Sequence, residues 1–344
     1  MDQMLDELNT FQSIGEIAMT VIEKLAVKTS LKKTAKEIQW NGEQIVSNGI
    51  YADIPIERYH NDTSLFDGFS ISSSGLRQVL RRPSEYWCYS PYNPNRYERE
   101  ESKALNFGQA AHMLILGEEG FSSQFALKPA ELNGKPWQGN RTECRQWLKD
   151  CQQAGRTVIT DAEIEHIKRI ANNLDRHPIV QQGALNGHIE RSIIYKDENI
   201  WLKSRPDIFA NNSGDFFDLK TANDVSNDAL KKTIYNHGYH VQAALVRMAI
   251  REVVGEDAFN SFTFVFVEKT PPYDVRIRQL RPQDIDLGER QARYAINIVK
   301  ECLKTNEWPG LDGIAPSVDW IELPEWARSE IENNLTNNNE RVAA

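Results

Sequence analysis

Residues 205–222 read RPDIFANNSGDFFDLKTA. An apolar strand pattern carries Asp207. Asn211–Gly214 is a turn signal, and a second strand carries Asp218, Leu219 and Lys220. Side chains alternate along a strand, so Asp218 and Lys220 project from one face and Leu219 from the other. A tight turn brings Asp207 alongside Asp218. Two carboxylates that close repel each other unless a cation lies between them. Mg²⁺ is the expected ion, with Mn²⁺ as a substitute, because a hard cation takes oxygen ligands and keeps waters for a phosphate. Phosphodiester hydrolysis needs these parts: a metal to activate water, and an ammonium, Lys220, to stabilise developing negative charge or orient that water. An Asp-x-Lys triplet alone is commonplace on exposed strands as a solvated ion pair. Here Asp207 follows Arg205-Pro206 in an apolar strand, Asp218 lies between Phe217 and Leu219, and the acids occupy consecutive strands. Together these favour a metal site.

Outward from that hairpin the chain reads as α/β. IERSIIYK (189–196) and IWLKSRPDIF (200–209) are predicted strands, followed by 214–222, 262–269 and 273–280. Helical spacing covers 104–119, about 227–253 as one long helix, and 281–305. ISSSGLRQVLRR becomes helical after its serines, with Ser72 or Ser74 as cap and Pro83 as stop. Thr160 or Asp161 opens another helix that ends before Pro178. Residues 128–143 read as a polar surface loop. Residues 1–48 are expected to be an N-terminal helical extension, 49–330 the main domain, and 331–344 a polar flexible tail.

The chain has 344 residues and a net charge of −9, which argues against a protein that coats nucleic acid over its whole surface. A basic channel on an acidic body remains compatible with it. Its four cysteines form no CxxC pair, so a zinc ribbon is not expected, and they suit a reducing, cytoplasmic setting. No apolar stretch is long enough to suggest a membrane span.

Other residues carry two readings each. His112, one turn after Gly108, is either a metal ligand or a core histidine on an apolar helix. Gln242 either bonds a DNA phosphate or base edge, or is a polar residue on a half-exposed helix. Glu190 either reaches the metal or faces solvent. The start of the ISSSGLRQVLRR helix is a candidate pocket for a terminal phosphate: free N–H groups favour an anion. Ser74 adds a hydroxyl, and Arg77, Arg81 and Arg82 add charge. The alternative is an ordinary capped surface helix.

The set Gly108-xxx-His112, Arg205-Pro206-Asp207, Asp218-Leu219-Lys220 and His240-Val241-Gln242 resembles the RecB-like branch of the PD-(D/E)xK nucleases. Within it the resemblance is to the RecE-type, or exonuclease VIII, family, over about residues 49 to 328. The resemblance implies a restriction-endonuclease-like core, a central mixed β-sheet flanked by helices. It implies that His112, Asp207, Asp218 and the main-chain carbonyl of Leu219 hold the metal, and that Lys220 is the catalytic lysine. It further implies 5′-to-3′ digestion of linear duplex DNA in a bacterial or phage-infected cell, leaving 3′ single strands. The implied partners are a single-strand annealing recombinase of RecT-like kind and further copies of the chain in a ring, a tetramer or trimer. Where the branch often has Tyr, four residues after the Gln, this chain has Val246. Two rivals remain: a non-catalytic DNA-end binder with the same fold, and another RecB-like nuclease such as an iron–sulfur helicase-nuclease.

Overall fold

The structure is a computed structural model, which describes residues 37–98, 103–118, 120–210, 213–313, 318 and 320–342. The helical reading of residues 16–36 and the Asn211–Asn212 half of the predicted turn lie outside the described residues.

Two five-stranded sheets organise the molecule. Their strands, in chain order, are β1 (Glu37–Gln39), β2 (Gly49–Ala52), β3 (Phe69–Ser72), β4 (His188–Ile189), β5 (Ser192–Asp197), β6 (Ile200–Ser204), β7 (Ile208–Ala210), β8 (Asp215–Ala222), β9 (Ser261–Glu268) and β10 (Val275–Gln279). The first sheet runs β1-β2-β5-β6-β3 and the second β10-β9-β8-β7-β4. Both are mixed: β8 lies parallel to β9 but antiparallel to β7, and β6 lies parallel to β3 but antiparallel to β5. The larger helices are α1 (Ser73–Arg81), α2 (Lys103–Leu116), α3 (Asp161–Asp175), α4 (Asn227–Asn236), α5 (Tyr239–Val253), α6 (Pro282–Thr305) and α7 (Glu325–Val342). No helix among the described residues is long and apolar enough to cross a membrane.

The second sheet is buried on both faces, which is why β9 reads as an apolar run broken only by Thr263 between Phe262 and Val267. Phe262, Phe264 and Phe266 enter one core with Phe216 and much of α5, while Val265 and Val267 enter another with Leu219 and the apolar faces of α2 and α3. β8 alternates the same way, so Asp218 and Lys220 emerge on the α5 side and Leu219 on the α2 side. Thr160, one of the two residues expected to open the helix, caps α3 in a reciprocal box with Glu163. α5 also packs tightly on α6. A Cβ at Gly288 would lie 2.3 Å from the His240 carbonyl oxygen, so only glycine permits that approach.

Several predicted elements divide or change. The strand read over 200–209 is two strands in different sheets. Pro206 has no N–H for a ladder, and the chain leaves the first sheet at Arg205 and enters the second at Ile208. The single helix over 227–253 breaks at Gly238, whose φ of 60° is left-handed, giving α4 and α5. Residues 37–39, inside the predicted extension, form a strand paired with β2, and Ile45 is buried beside Phe66. The expected loose tail is helical through Val342. Within 128–143 a small hairpin pairs Glu131–Leu132 with Lys135–Pro136.

Candidate active site

The site lies at the seam between the two sheets. The chain passes from β6 to β7 through Asp207, and from β4 to β5 through Glu190, whose φ is 56°. These crossings touch: the Glu190 N–H donates to the Asp207 carbonyl at 3.0 Å. Ile208 pairs with Phe217, so one further step of register sets Asp207 beside Asp218. The Leu219 N–H donates to Asp207 Oδ2 at 2.6 Å, fixing that carboxylate against β8. Asp207 is 6% exposed and Asp218 0%, so neither charge is left to bulk water.

Each acid has its own partners. The Lys220 ammonium pairs with Asp218 Oδ1, and the Gln242 side chain of α5 donates to Oδ2. Lys220 also lies 5.5 Å from the centre of the Tyr239 ring. His112 comes from α2, which rests on β8 near Gly108; a Cβ there would stand 3.4 Å from Thr221 Oγ1. Its Nε2 is 2.7 Å from Asp207 Oδ2 and 3.8 Å from Glu190 Oε1, and its Nδ1 is 2.6 Å from Glu118 Oε1.

The electrostatics follow from burial and crowding. Burial, then the charge of Asp207, pushes Asp218 above the usual carboxylate range. Burial works upward on Asp207 too, but His112 and Lys220 outweigh it and hold Asp207 low. Burial and Asp207 push Glu190 up. For His112, burial acts downward, yet Asp207, Glu118 and Glu190 outweigh it and raise the imidazole well above its ordinary value. Four carboxylates, Asp207, Asp218, Glu118 and Glu190, against one imidazole, the Lys220 ammonium and the Arg205 guanidinium make a pocket short of positive charge, and this is the condition under which a cation binds.

A cleft of about 460 Å³ opens onto these groups, with His112, Glu118, Glu190, Leu219 and Lys220 in its wall. One ligand atom each from His112, Glu118 and Glu190 lies within 4.8 Å of the others, a spacing a metal could bridge. Because Asp207 touches the same imidazole, these groups and the predicted Asp207–Asp218 pair belong to one pocket. The donors, mostly oxygen with one imidazole, suit a hard or borderline divalent ion.

Sequence reasoning missed two participants. Glu118 lies beyond the end of α2, and its signal is only an acid six residues after His112. Arg205 lies over the Tyr59 ring at 4.2 Å, donates to Ser192 Oγ at 2.8 Å and comes within 3.8 Å of Glu190. Gln242, read as a DNA contact, donates to a carboxylate of the site. Val246 is in the core.

The proposed terminal-phosphate residues separate. Ser74, Arg77 and Arg81 line a second cavity, of about 490 Å³, between α1 and the α4–α5 turn. Arg82 does not line it and pairs with Glu85 at 3.2 Å. Arg77 donates to the carbonyls of Ser73 and His237, leaving its charge uncancelled by those bonds. Ser72 is the N-cap of α1, but its hydroxyl meets Ser74 Oγ at 2.9 Å and makes no capping bond.

Residues 72–318 match the family described as a PDDEXK-like domain of unknown function, DUF3799. Among solved structures, the chain is similar to a provisionally named exonuclease from Eubacterium rectale, at 15% identity and a TM-score of 0.54, over 80% of this chain and 98% of that one. At that identity the likeness concerns the fold. A phage-related exonuclease from Haemophilus somnus, at 12% identity and a TM-score of 0.30 over 70% of this chain and 97% of that one, is too distant to carry an argument. No curated protein matches the chain.

Proposed function

The chain belongs to the DUF3799 family of PDDEXK-like domains, and on that premise we propose that it is a divalent-metal-dependent exonuclease acting on the ends of duplex DNA. The observation that carries this is the burial of Asp207 and Asp218 side by side, with Lys220 on the same strand face and, with His112 and Glu190, in the wall of a cleft.

The residues fit a metal, Mg²⁺ or Mn²⁺. Asp207, Asp218, His112 and the Leu219 carbonyl would hold it, with Glu190 and Glu118 beside them. A bound divalent ion supplies Lewis acidity toward a phosphoryl oxygen and a water acidified toward hydroxide. The chain's own groups do the rest. Gln242 and Lys220 orient the two oxygens of Asp218. Glu118 at Nδ1 fixes the His112 ring, leaving Nε2 for the site, a common arrangement behind a ligating histidine. Lys220 stands where it can stabilise charge growing on the phosphate or orient the attacking water.

The cavity around Arg77 supports an end-binding mode. Ser74, Arg77 and Arg81 line it, and α5 opens there at Gly238 with no side chain capping its first turn. Uncapped N–H groups and a guanidinium suit a terminal phosphate. Attack at the 5′ end with a 3′ overhang as product, an annealing partner and a ring of copies are the finer proposals, and they rest on the family resemblance of the motif set.

The test is digestion of linear and circular duplexes labelled at either end, in Mg²⁺ and in EDTA. Linear DNA should lose its 5′ label first, circles should survive, and EDTA should stop the reaction. Cutting of closed circles at the same rate would sink the exonuclease reading. No Mg²⁺-dependent cutting of any DNA would sink the hydrolase.

A further inference from the structure

The Arg77 cavity adjoins a further cavity of about 620 Å³ between α4 and α6: Tyr235, His240 and Gln291 line both, so the two lie side by side in one trench with these three residues, His240 and Gln291 bonded at 2.6 Å, between them. The near part borders the catalytic groups: Tyr239, whose ring faces Lys220, follows Gly238 directly, and a Cβ at Gly238 would meet Arg77 at 2.7 Å. The far part is apolar, walled by Ile234, Leu280 and Leu287. Two large rings stand at it, Tyr235 at 76% and Tyr294 at 64% exposure. A terminal phosphate alone would need none of this second half.

Positive charge outweighs negative along the trench. The near part carries Arg77 and Arg81 and has no carboxylate among the described residues that line it, on a chain of net −9. Arg81 is shared with Glu85 at 2.5 Å, while Arg77 bonds only to carbonyls in its described hydrogen bonds. The far part sets Lys231 and Arg290 against Asp284. Cations that track a backbone, followed by aromatic faces open to stacking, are the ingredients of a single-strand site.

We propose that this trench binds a short single strand of DNA, the 5′ overhang that runs on past the bond to be cut. The inference rests on the exonuclease reading and names its substrate class: duplex ends carrying a few unpaired 5′ nucleotides. Backbone phosphates meet Arg77 and Arg81, and the bases beyond them stack on Tyr235 and Tyr294. A blunt end fills only the near cavity; an overhang fills both.

The experiment is fluorescence anisotropy of the full chain in EDTA at fixed salt, where nothing is cut. The probes are one duplex made blunt and the same duplex bearing a 5′ overhang of six thymidines. The wild type should bind the overhang about tenfold more tightly, the order expected for stacking one or two bases. The Tyr235→Ala/Tyr294→Ala double variant should lose that preference, and the Tyr235→Phe/Tyr294→Phe variant should keep it. Both rings are exposed, and melting curves check that the fold survives. Equal affinity of the wild type for both ends overturns the proposal. So does a preference that persists in the alanine variant. A loss of self-association on sedimentation, with the preference intact, overturns it in favour of a contact between copies. The parent reading fails separately, on the absence of Mg²⁺-dependent cutting in the same preparation.

Discussion

At the scale of single residues, the site was legible where strand alternation governs it. Asp218 and Lys220 share a face because they are two apart, and Asp207 faces them because the hairpin register says so. What could not be read were contacts that cross the chain. Glu118 reaches His112 around the end of a helix, and Gln242 reaches Asp218 from α5; neither has a local pattern. Asp207→Ala, Asp218→Ala and Lys220→Ala are each expected to lower Mg²⁺-dependent hydrolysis at least about 10²-fold. Anisotropy should show DNA binding largely kept. Glu118→Gln, one step removed, should weaken metal affinity about 10- to 100-fold, visible as a higher Mg²⁺ requirement. A second buried cation lies off the site. Lys203 is 6% exposed, donates to the Tyr59 carbonyl and lies over the Tyr59 and Phe66 rings. Burial, then Arg205, pulls its ammonium down to about 8. Between that value and the ordinary lysine range the unfolded chain holds a proton the folded one has released, so stability rises with pH across this window. Lys203→Met should therefore stabilise the fold at neutral pH by about 1–4 kcal/mol. Urea melts should show the gain shrinking as pH rises past the window; a constant gain would mean the lysine is not the cause.

At the scale of elements, periodicity located β8, β9, α3 and α6 because each has one rule along its length. It failed where an element ends for a reason outside itself. Nothing in the apolar pattern of 200–209 says that its two halves belong to different sheets, although Pro206 marks the break. Gly238 similarly interrupts a helical pattern that is continuous on either side, and its left-handed backbone turns the chain into α5. Residues 37–39 read as helical only because Ile38 continued an upstream spacing; pairing with β2 decided otherwise. The α5–α6 contact gives an element-level test. Gly288→Ala would force a methyl against the His240 carbonyl. It should cost about 1–3 kcal/mol in urea unfolding. Because α5 also carries Gln242, activity should fall with it.

At the scale of the whole molecule, two layers of opposite surroundings meet. The first sheet packs on α5, and the second is sandwiched between the α5 core and the α2–α3 core. The acidic total charge says nothing of this arrangement. It does make the lining around Arg77, with no carboxylate among its described residues, stand out as a local exception, which composition alone could not reveal.

Asp207 and Glu190 occupy the two places where the backbone steps from one layer to the other. Parting of the layers would free the crossings that carry these two acids, so the proposed metal centre should be the first part of the fold to lose its geometry. Gentle warming should extinguish cutting before far-ultraviolet circular dichroism registers any loss of helix; simultaneous disappearance would show that the junction is as durable as the body it joins.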